Sequence, residues 1–330
     1  MKQCKYFIGP MSKNIVDAAI DFCNNTGNVI GLIPSRRQVE WHSGYVNNWA
    51  TSDFVDYVRS KTKNILIQRD HAGPGQGQSP DDGYVSLASD CRSNMDLIHI
   101  DPWKDHQDLV EGLVETSKMI KFCNAINPKL RYEIGTEEAI RRFETSDLEF
   151  LLTGLKKMFT GTDIFEKIEY LVIQSGTSLR GNKQTGSYES DRLSEMVSIG
   201  KKYGLLTKEH NGDYISVDVI REKFSLDLDA INIAPEFGLI ETNTYLDNIY
   251  ENDHMEIFEE FWRICYESGK WEKWVSPEFD PIREKEALIK ISGHYVLSKN
   301  DFVTNIKSKY PGIDEEVKEN VTKKLEELYG

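Results

Sequence analysis

The sequence NILIQRDHAGPGQG, residues 64–77, places an aspartate and a histidine side by side where a short apolar run ends. A carboxylate can move a proton, and an imidazole can bind a divalent metal ion. Glu133 and His210 accompany two later apolar runs, and imidazole and carboxylate together are typical ligands of Zn²⁺ or a similar ion. The sequence therefore predicts that His71, Glu133 and His210 bind a metal ion and that Asp70 acts as acid or base.

A structural interpretation of these residue types stays open beside the chemical one. A histidine beside a strand is more often a hydrogen-bonded core residue than a ligand. We give this structural interpretation to the five other histidines, which are His42, His99, His106, His254 and His294. Glu133, likewise, can pair with Arg131 or Arg141 instead of a metal ion.

Eight short apolar runs, separated by segments with helical periodicity, predict the strands that position these side chains. Strands separated by helices pair in parallel through crossovers, and eight such units in about 240 residues are typical of a (β/α)8 TIM barrel. A doubly wound sheet of similar length is the alternative. The predicted strands are 5–8, 28–33, 64–68, 96–100, 131–135, 170–174, 204–207 and 230–234.

Amphipathic or apolar segments between these runs predict the crossover helices. The predicted helices are 12–24, 106–126, 137–160 (as one or two helices), 188–203 and 217–227. Residues 243–330 show no comparable strand rhythm and are helical and aromatic in character. We therefore expect an α/β fold in which residues 1–245 form the barrel and residues 246–330 form a helical C-terminal extension packed on it.

Composition limits the possible partners. The 330 residues are 39% hydrophobic, which is enough for a sizeable core, and the formal net charge of -14 argues against a general nucleic-acid binder.

No run of 18 apolar residues predicts a membrane span, and the N-terminus lacks the apolar stretch of a secretory signal. Five widely spaced cysteines without a CxxC argue against a disulfide framework, so we expect a cytoplasmic protein.

Seven short motifs occur in an order that resembles a known family. They are SRRQVEWHSGYVNNWATSDFVDYV, RDHAGPGQG, IHIDPW, YEIGTE, VIQSGTSLRG, HNGDY and INIAPEFG. Their order resembles that of the tagatose-bisphosphate aldolase subunits, the so-called non-catalytic partner subunits of class II sugar-bisphosphate aldolases. The tail segments KWEKWV and LIKISGHYVLSKNDF resemble that family more faintly.

The resemblance implies a class II aldolase mechanism, in which a metal ion polarises the ketose carbonyl and stabilises an enediolate. Asp70 matches the residue that shuttles the proton, His71 the first metal ligand, and His210 a ligand on a late strand. Glu133 matches a carboxylate near the metal. Gln174 takes a place where catalytic aldolases have another histidine, so the usual set of three histidines is incomplete and Gln174 is the fourth candidate residue of the metal site. The implied cofactor is a divalent ion, with Zn²⁺ expected.

The remaining polar residues near the strand ends are candidates for binding substrate, because active sites of barrels form at the carboxyl ends of the strands. They are Ser35, Arg36, Gln38, Asp101, Ser175, Gly176, Arg180, Asn211, Gly212 and Asn232. Arginines, Lys183 and the backbone N–H groups of the serine and glycine loops suit phosphate oxygens, whereas Asp101 and Asn232 suit sugar hydroxyls. Lys208 is a possible Schiff-base nucleophile.

Three functions are compatible with these features. The first is a metal-dependent aldolase that cleaves or forms a phosphorylated ketose, with triose phosphates as the other reactants. The second is a non-catalytic subunit that binds sugar phosphate and supports a separate aldolase chain. The third is a sugar-phosphate isomerase or epimerase. Exposed tryptophans and tyrosines in the tail can form an interface, so a homo-oligomer or a complex with a catalytic aldolase subunit is expected.

Overall fold

A computed structural model describes residues 4–297 and 300–330 as a closed barrel of eight parallel strands. Each strand pairs with its neighbours along the chain, and the first strand pairs with the last to close the barrel. The strands are β1 (Tyr6–Ile8), β2 (Ile30–Leu32), β3 (Ile65–Ala72), β4 (Leu97–Ile100), β5 (Arg131–Ile134), β6 (Ile168–Ile173), β7 (Leu206–Glu209) and β8 (Ala230–Ile233). The predicted (β/α)8 barrel is confirmed, and the doubly wound sheet is excluded.

The crossover helices surround the barrel, and further helices follow them. They are α1 (Lys13–Thr26), α2 (Thr51–Lys61), α3 (Tyr84–Arg92), α4 (Leu109–Ile126), α5 (Thr145–Met158), α6 (Ser190–Lys202), α7 (Val217–Ser225), α8 (Pro235–Glu251), α9 (Met255–Glu267), α10 (Lys285–Ser292), α11 (Asn300–Lys309) and α12 (Ile313–Tyr329). Short 3-10 turns cover Phe165–Lys167, Glu272–Trp274 and Gly293–Tyr295, and Leu179–Arg180 pairs with Lys183–Gln184 in a small antiparallel hairpin.

Caps explain where two of the predicted helices begin. α4 begins at Leu109 because the Asp108 side chain accepts hydrogen bonds from the N–H groups of Val110 and Glu111. In the segment predicted as one or two helices, 137–160, only α5 forms. A capping box between Glu144 and Asp147 starts this helix, and residues 137–144 form a loop at the barrel mouth.

The C-terminal helices share a core with the barrel. α12 packs against α1 and α8, and the Tyr6 hydroxyl donates to the Leu328 carbonyl at 2.6 Å while the Tyr329 hydroxyl donates to the Val29 carbonyl at 2.7 Å. The helix α8 runs through the boundary predicted between residues 245 and 246. Residues 1–3 of the predicted barrel and 298–299 of the predicted extension lie outside the described residues.

Inside the barrel, apolar residues fill the amino-terminal end and polar residues follow above them. The apolar set is Cys4, Phe7, Ile33, Leu97, Tyr170 and Ala230. The polar side chains of Gln68 and Lys208 also point into the barrel interior. Successive residues of a strand point to opposite faces of the sheet. Their neighbours Arg69 and Glu209 face the helices instead, and pair there with Asp90 and Lys223.

Among the described helices, none is both long and apolar enough to cross a membrane. The five cysteines are buried.

Candidate active site

Three histidines and an aspartate meet at the carboxyl end of the barrel. One ligand atom from each of Asp70, His71, His99 and His210 lies within 4.8 Å of the others. The ring centroids are 4.9 Å apart for His71 and His99, 5.1 Å for His71 and His210, and 4.9 Å for His99 and His210. The structure therefore brings Asp70, His71 and His210 together, as the sequence predicts, and adds His99.

An irregularity in β3 allows two adjacent residues to face the same site. The pairing of β3 with β4 shifts register between Arg69 and Ala72, and His71 adopts the left-handed backbone conformation with φ of 46°. Asp70 and His71 would point to opposite faces of a regular strand. A non-glycine residue held at positive φ costs free energy, and such strain is concentrated at functional sites.

Each imidazole is fixed by a hydrogen bond through one ring nitrogen. His71 donates from Nδ1 to Asp101 Oδ2 at 2.6 Å, and His99 donates from Nε2 to the Gly135 carbonyl at 3.0 Å. His210 donates from Nε2 to Glu133 Oε1 at 2.7 Å. Such bonds fix the tautomer and orientation of metal-binding histidines, and in a neutral imidazole they make the other ring nitrogen the acceptor. His99 Nδ1 accepts in this way from the His71 N–H at 3.2 Å.

Glu133 lies beneath the histidines, in a fully buried ion pair with Lys208. Gln68 joins the two, donating to Glu133 Oε2 at 3.0 Å and accepting from Lys208 Nζ at 2.7 Å. Lys208 Nζ also lies 3.7 Å from the centroid of the Phe7 ring. Glu133 therefore orients His210, while Lys208 Nζ is engaged with Glu133, Gln68 and Phe7 beneath the site and does not line the cavity beside Asp70.

The charges of the cluster act on one another. Burial alone would raise the pKa of Asp70, but the neighbouring histidines, above all the positive charge of His71, lower it below the ordinary value. Burial disfavours the charged form of His71, yet the carboxylates of Asp70 and Asp101 raise its pKa to about 10. Burial lowers the pKa of His210, and the bond to Glu133 only partly offsets this. Asp70 is therefore ionised and His210 neutral at pH 7.

The donor set fits a divalent ion. Three imidazoles and a carboxylate converge, and Asp70 Oδ1 is buried without a hydrogen-bond partner in the described part of the chain. Nitrogen and oxygen ligands of this kind suit Zn²⁺, which takes three protein ligands and one open position in catalytic sites. His71, His99 and His210 can supply those three ligands. His71 would have to release its proton before its ring nitrogen could bind an ion.

The side chain of Gln174, the fourth predicted metal-site residue, is hydrogen-bonded to backbone groups around the loop 137–144. Its amide donates to the carbonyls of Thr136 and Arg141, both at 2.8 Å, and accepts from the Phe143 N–H at 2.9 Å. These three bonds hold the loop 137–144 against β6. The third imidazole of the cluster comes from His99, on β4.

Among the predicted substrate-binding residues, those following β2 line a cavity of about 470 Å³ at the barrel mouth, together with Asp70 and His71. Ser35 and Gln38 are joined by a bond of 2.8 Å from the Ser35 N–H to Gln38 Oε1. Arg36 also reaches this cavity, but its guanidinium is buried and bound to Glu40 and Asp81. Arg36 thus anchors the loop after β3 rather than presenting a free charge.

The predicted residues after β4 and β8 are also buried. Asp101 is engaged with His71 and also accepts from Gln76 Nε2 at 3.2 Å. Asn232, on the inner face of β8, has a buried side-chain oxygen without a hydrogen-bond partner among the described residues. An orphaned buried amide oxygen is costly, and a sugar hydroxyl would satisfy it.

The predicted loop residues after β6 and β7 are mostly used within the protein. The Ser175 N–H donates to Glu209 Oε1 at 3.2 Å, and the Gly212 N–H donates to the Asn232 carbonyl at 2.8 Å. Gly176 has φ of 90° and lies so close to Ser187 that a Cβ would be 2.2 Å from the Ser187 carbonyl oxygen.

The other two predicted loop residues, Asn211 and Arg180, are not among the residues that line the cavity beside Asp70 and His71. Asn211, at positive φ, accepts a hydrogen bond from Gln184 through its carbonyl. Arg180 is exposed on the hairpin, whereas its neighbours Gly181 and Asn182 line the cavity.

His99 was interpreted from the sequence as a structural residue. The alternation of residues along its strand indicates that it faces the interior of the barrel. In the sequence LIHID, residues 97–101, every second position shares a face, so Leu97, His99 and Asp101 point into the barrel. A histidine on the inner face near the carboxyl end of a barrel strand is placed toward the site.

Comparisons with known proteins place the fold. No family model matches the chain, and no curated protein matches it. Among solved structures, a probable tagatose 6 phosphate kinase from Sinorhizobium meliloti 1021 matches with a TM-score of 0.76 and 14% identity, over 99% of both chains. The YdjI aldolase from Escherichia coli K12 matches with a TM-score of 0.58 and 11% identity, over 99% of this chain and 91% of that one.

An epimerase shares the architecture as well. The fructuronate-tagaturonate epimerase UxaE from Cohnella laeviribosi matches with a TM-score of 0.64 and 10% identity, over 99% of this chain and 81% of that one. At these identities the matches establish a shared fold. Aldolase structures are among them, in line with the family resemblance of the sequence, and the likeness extends through the C-terminal helices.

Proposed function

We propose that the protein is a metal-dependent, class II-type aldolase that cleaves or forms a phosphorylated ketose. The observation that carries this proposal is the convergence of three hydrogen-bonded imidazoles and one ionised carboxylate beside an open cavity. The similar structures include aldolases and a probable tagatose 6 phosphate kinase, and this likeness supports a sugar phosphate as the reactant.

Asp70 is the proton carrier in this proposal. Its carboxylate is ionised, and its Oδ1 has no hydrogen-bond partner among the residues that the structure describes, so it can accept the proton of the hydroxyl that becomes the aldehyde. As that hydroxyl loses its proton, the adjacent carbon–carbon bond breaks and its electron pair moves toward the ketose carbonyl. The carbon released from that bond then takes up a proton, which completes the second triose phosphate. In the reverse direction Asp70 returns the proton to the new hydroxyl.

The histidines have a separate task. His71, His99 and His210 would hold a divalent ion, with Zn²⁺ proposed, and when bound this ion supplies a Lewis acid for the carbonyl oxygen. Asp101 and Glu133 keep two of these imidazoles in position through the hydrogen bonds described above. Asn232 is proposed to bind a sugar hydroxyl through its unpaired oxygen.

The test is to load the protein with Zn²⁺, measure its metal content and incubate it with fructose or tagatose 1,6-bisphosphate. We expect triose phosphates from the wild type. Asp70→Asn should keep its metal and lose turnover by about 10²- to 10⁴-fold, because a general base is removed without a change in shape. Asp227→Asn, at an exposed pair with Lys201, is the matched control and should behave as the wild type. Wild-type turnover in Asp70→Asn would exclude Asp70 from the mechanism.

An epimerase is the second candidate, and the match to a fructuronate-tagaturonate epimerase favours it. Epimerisation also needs a base and a polarised carbonyl, so the same residues would serve. The products decide between the two: an epimeric sugar of unchanged length indicates an epimerase, whereas triose phosphates indicate an aldolase. Activity only after addition of a catalytic aldolase chain, with no bound metal, would favour the supporting subunit.

A further inference from the structure

Three positive side chains line the cavity at the barrel mouth without a carboxylate partner. Arg37 donates only from Nε, to the Gly77 carbonyl at 3.3 Å, and Lys104 donates to the Gly75 carbonyl. Lys273 Nζ lies over the rings of Trp274 and Tyr295, at 4.2 and 6.0 Å from their centroids. Among the described residues, no carboxylate oxygen lies within 4.0 Å of any of these three groups, in contrast to Arg36 beside them.

The three cations come from different parts of the fold. Arg37 follows β2, Lys104 follows β4, and Lys273 is in the 3-10 turn Glu272–Trp274 of the C-terminal helical region. Their proximity affects the pKa of Lys273. Burial and the positive charges of nearby residues lower this pKa to about 8, whereas the Glu137 carboxylate acts in the opposite direction; the nearby cations are Arg37, Lys270 and Lys104. A fold with a net charge of -14 has many carboxylates with which to neutralise three cations, and here it leaves them together and unpaired.

These residues occupy a defined place in the binding space. The cavity that contains Asp70 and His71 adjoins a second one of about 760 Å³, and the two share Arg37, Tyr45, Lys273 and Tyr295. Arg37 and Lys273 therefore stand at the junction of the two cavities. A substrate that reacts at Asp70 and extends toward this junction would meet their charges.

We propose that Arg37, Lys104 and Lys273 form the subsite for an anionic end of the substrate, a phosphate or a carboxylate. The proposal rests on the proposed function, since it places this anion on the sugar that reacts at Asp70. The free terminal nitrogens of Arg37 form a planar fork that matches either anion, and the two ammonium groups add charge. Because Lys273 belongs to the C-terminal helical region, that region completes the substrate site.

The test measures binding of inorganic phosphate to the full-length protein by calorimetry, at fixed ionic strength and with EDTA present. Lys273→Gln, Arg37→Gln and Lys104→Gln should each weaken binding by about tenfold or more, since each removes a charged hydrogen-bond donor. Lys285→Gln is the matched control. Lys285 also lies 4.2 Å from a tryptophan centroid in the same region, but it pairs with Glu259 outside the cavity. Its loss should leave binding unchanged.

Acetate, measured in the same way, separates the two sources of the anion. Tighter binding of phosphate indicates a phosphorylated end, and equal or tighter binding of acetate indicates a sugar carboxylate. The inference is overturned if the wild type binds neither anion, or if the three variants bind as the control does. Since the assay needs neither metal nor turnover, loss of phosphate binding in Lys273→Gln supports the subsite even for a protein without aldolase activity. Unchanged binding overturns it even for an active aldolase.

Discussion

Replacement of Lys208 by methionine tests whether the pair beneath the histidines supports the barrel interior. Lys208 and Glu133 are both fully buried, and burial of Glu133 would raise its pKa were it not for Lys208, which with His99 and His210 holds the pKa of Glu133 well below its usual range. Methionine keeps the length and apolar stem of lysine. The substitution therefore removes the charge and little of the volume.

The expected cost follows from the groups left behind. Without Lys208, the Glu133 carboxylate keeps only Gln68 and His210 as partners. Removal of one member of a buried ion pair costs about 3–5 kcal/mol, because the remaining charge is uncompensated. With about 2.1 cal/mol/K of unfolding entropy per residue over 330 residues, a loss of about 4 kcal/mol lowers Tm by roughly 6 °C.

Urea denaturation and thermal unfolding of three proteins provide the measurement: wild type, Lys208→Met, and the double variant Lys208→Met/Glu133→Gln. The double variant has neither charge of this pair and should recover most of the lost stability, to within about 1–2 kcal/mol of the wild type. If Lys208→Met lost less than about 1 kcal/mol and the second substitution brought no recovery, the two charges would be independent and our account of this layer would be wrong.

Two further substitutions test other parts of the fold. Asp101→Asn should weaken Zn²⁺ binding by about 10- to 100-fold in a chelator competition titration, because Asp101 orients His71; affinity equal to that of the wild type would exclude this role. Burial and the nearby Asp314 raise the pKa of Glu241 to about 7, against hydrogen bonds from Ser12 and Asn14. Between about pH 4.5 and 7 the folded protein therefore keeps a proton that the unfolded chain releases, so stability falls by up to about 3 kcal/mol as pH rises through this range. Glu241→Gln should remove this slope in urea denaturation series at pH 5 and 8, and an unchanged slope would contradict the assignment.

The barrel could be predicted because its strands are short apolar runs bounded by helices. Each of the eight predicted runs overlaps one of the observed strands, with shifts of a few residues at the ends. β3 is the largest departure, since it extends from Ile65 to Ala72 where the apolar run stops at Gln68. Arg69 makes this extension possible because its charge is neutralised by Asp90, and that pairing is invisible in a local pattern.

The site was predicted in outline but not in the roles of all its members. Asp70, His71 and His210 could be found because their types are unusual beside apolar runs. Glu133 pairs inside the barrel with Lys208, which comes from another strand. A carboxylate held in this way orients His210, and His99 is the residue that reaches the cluster. Which acidic residue is neutralised depends on pairing across the barrel.

The two adjacent arginines after β2 illustrate the same dependence and lead to the anion subsite. In sequence Arg36 and Arg37 are equivalent, yet Arg36 is bound to Asp81, 45 residues away, and Arg37 has no carboxylate partner among the described residues. The charge available to a ligand is thus set by which carboxylates the folded loops bring near. Lys273 reaches the same cavity only because the C-terminal helical region packs over the barrel mouth. A basic subsite therefore exists in this acidic chain only when barrel and extension are assembled, so deletion of the extension should abolish phosphate binding even where the barrel still folds.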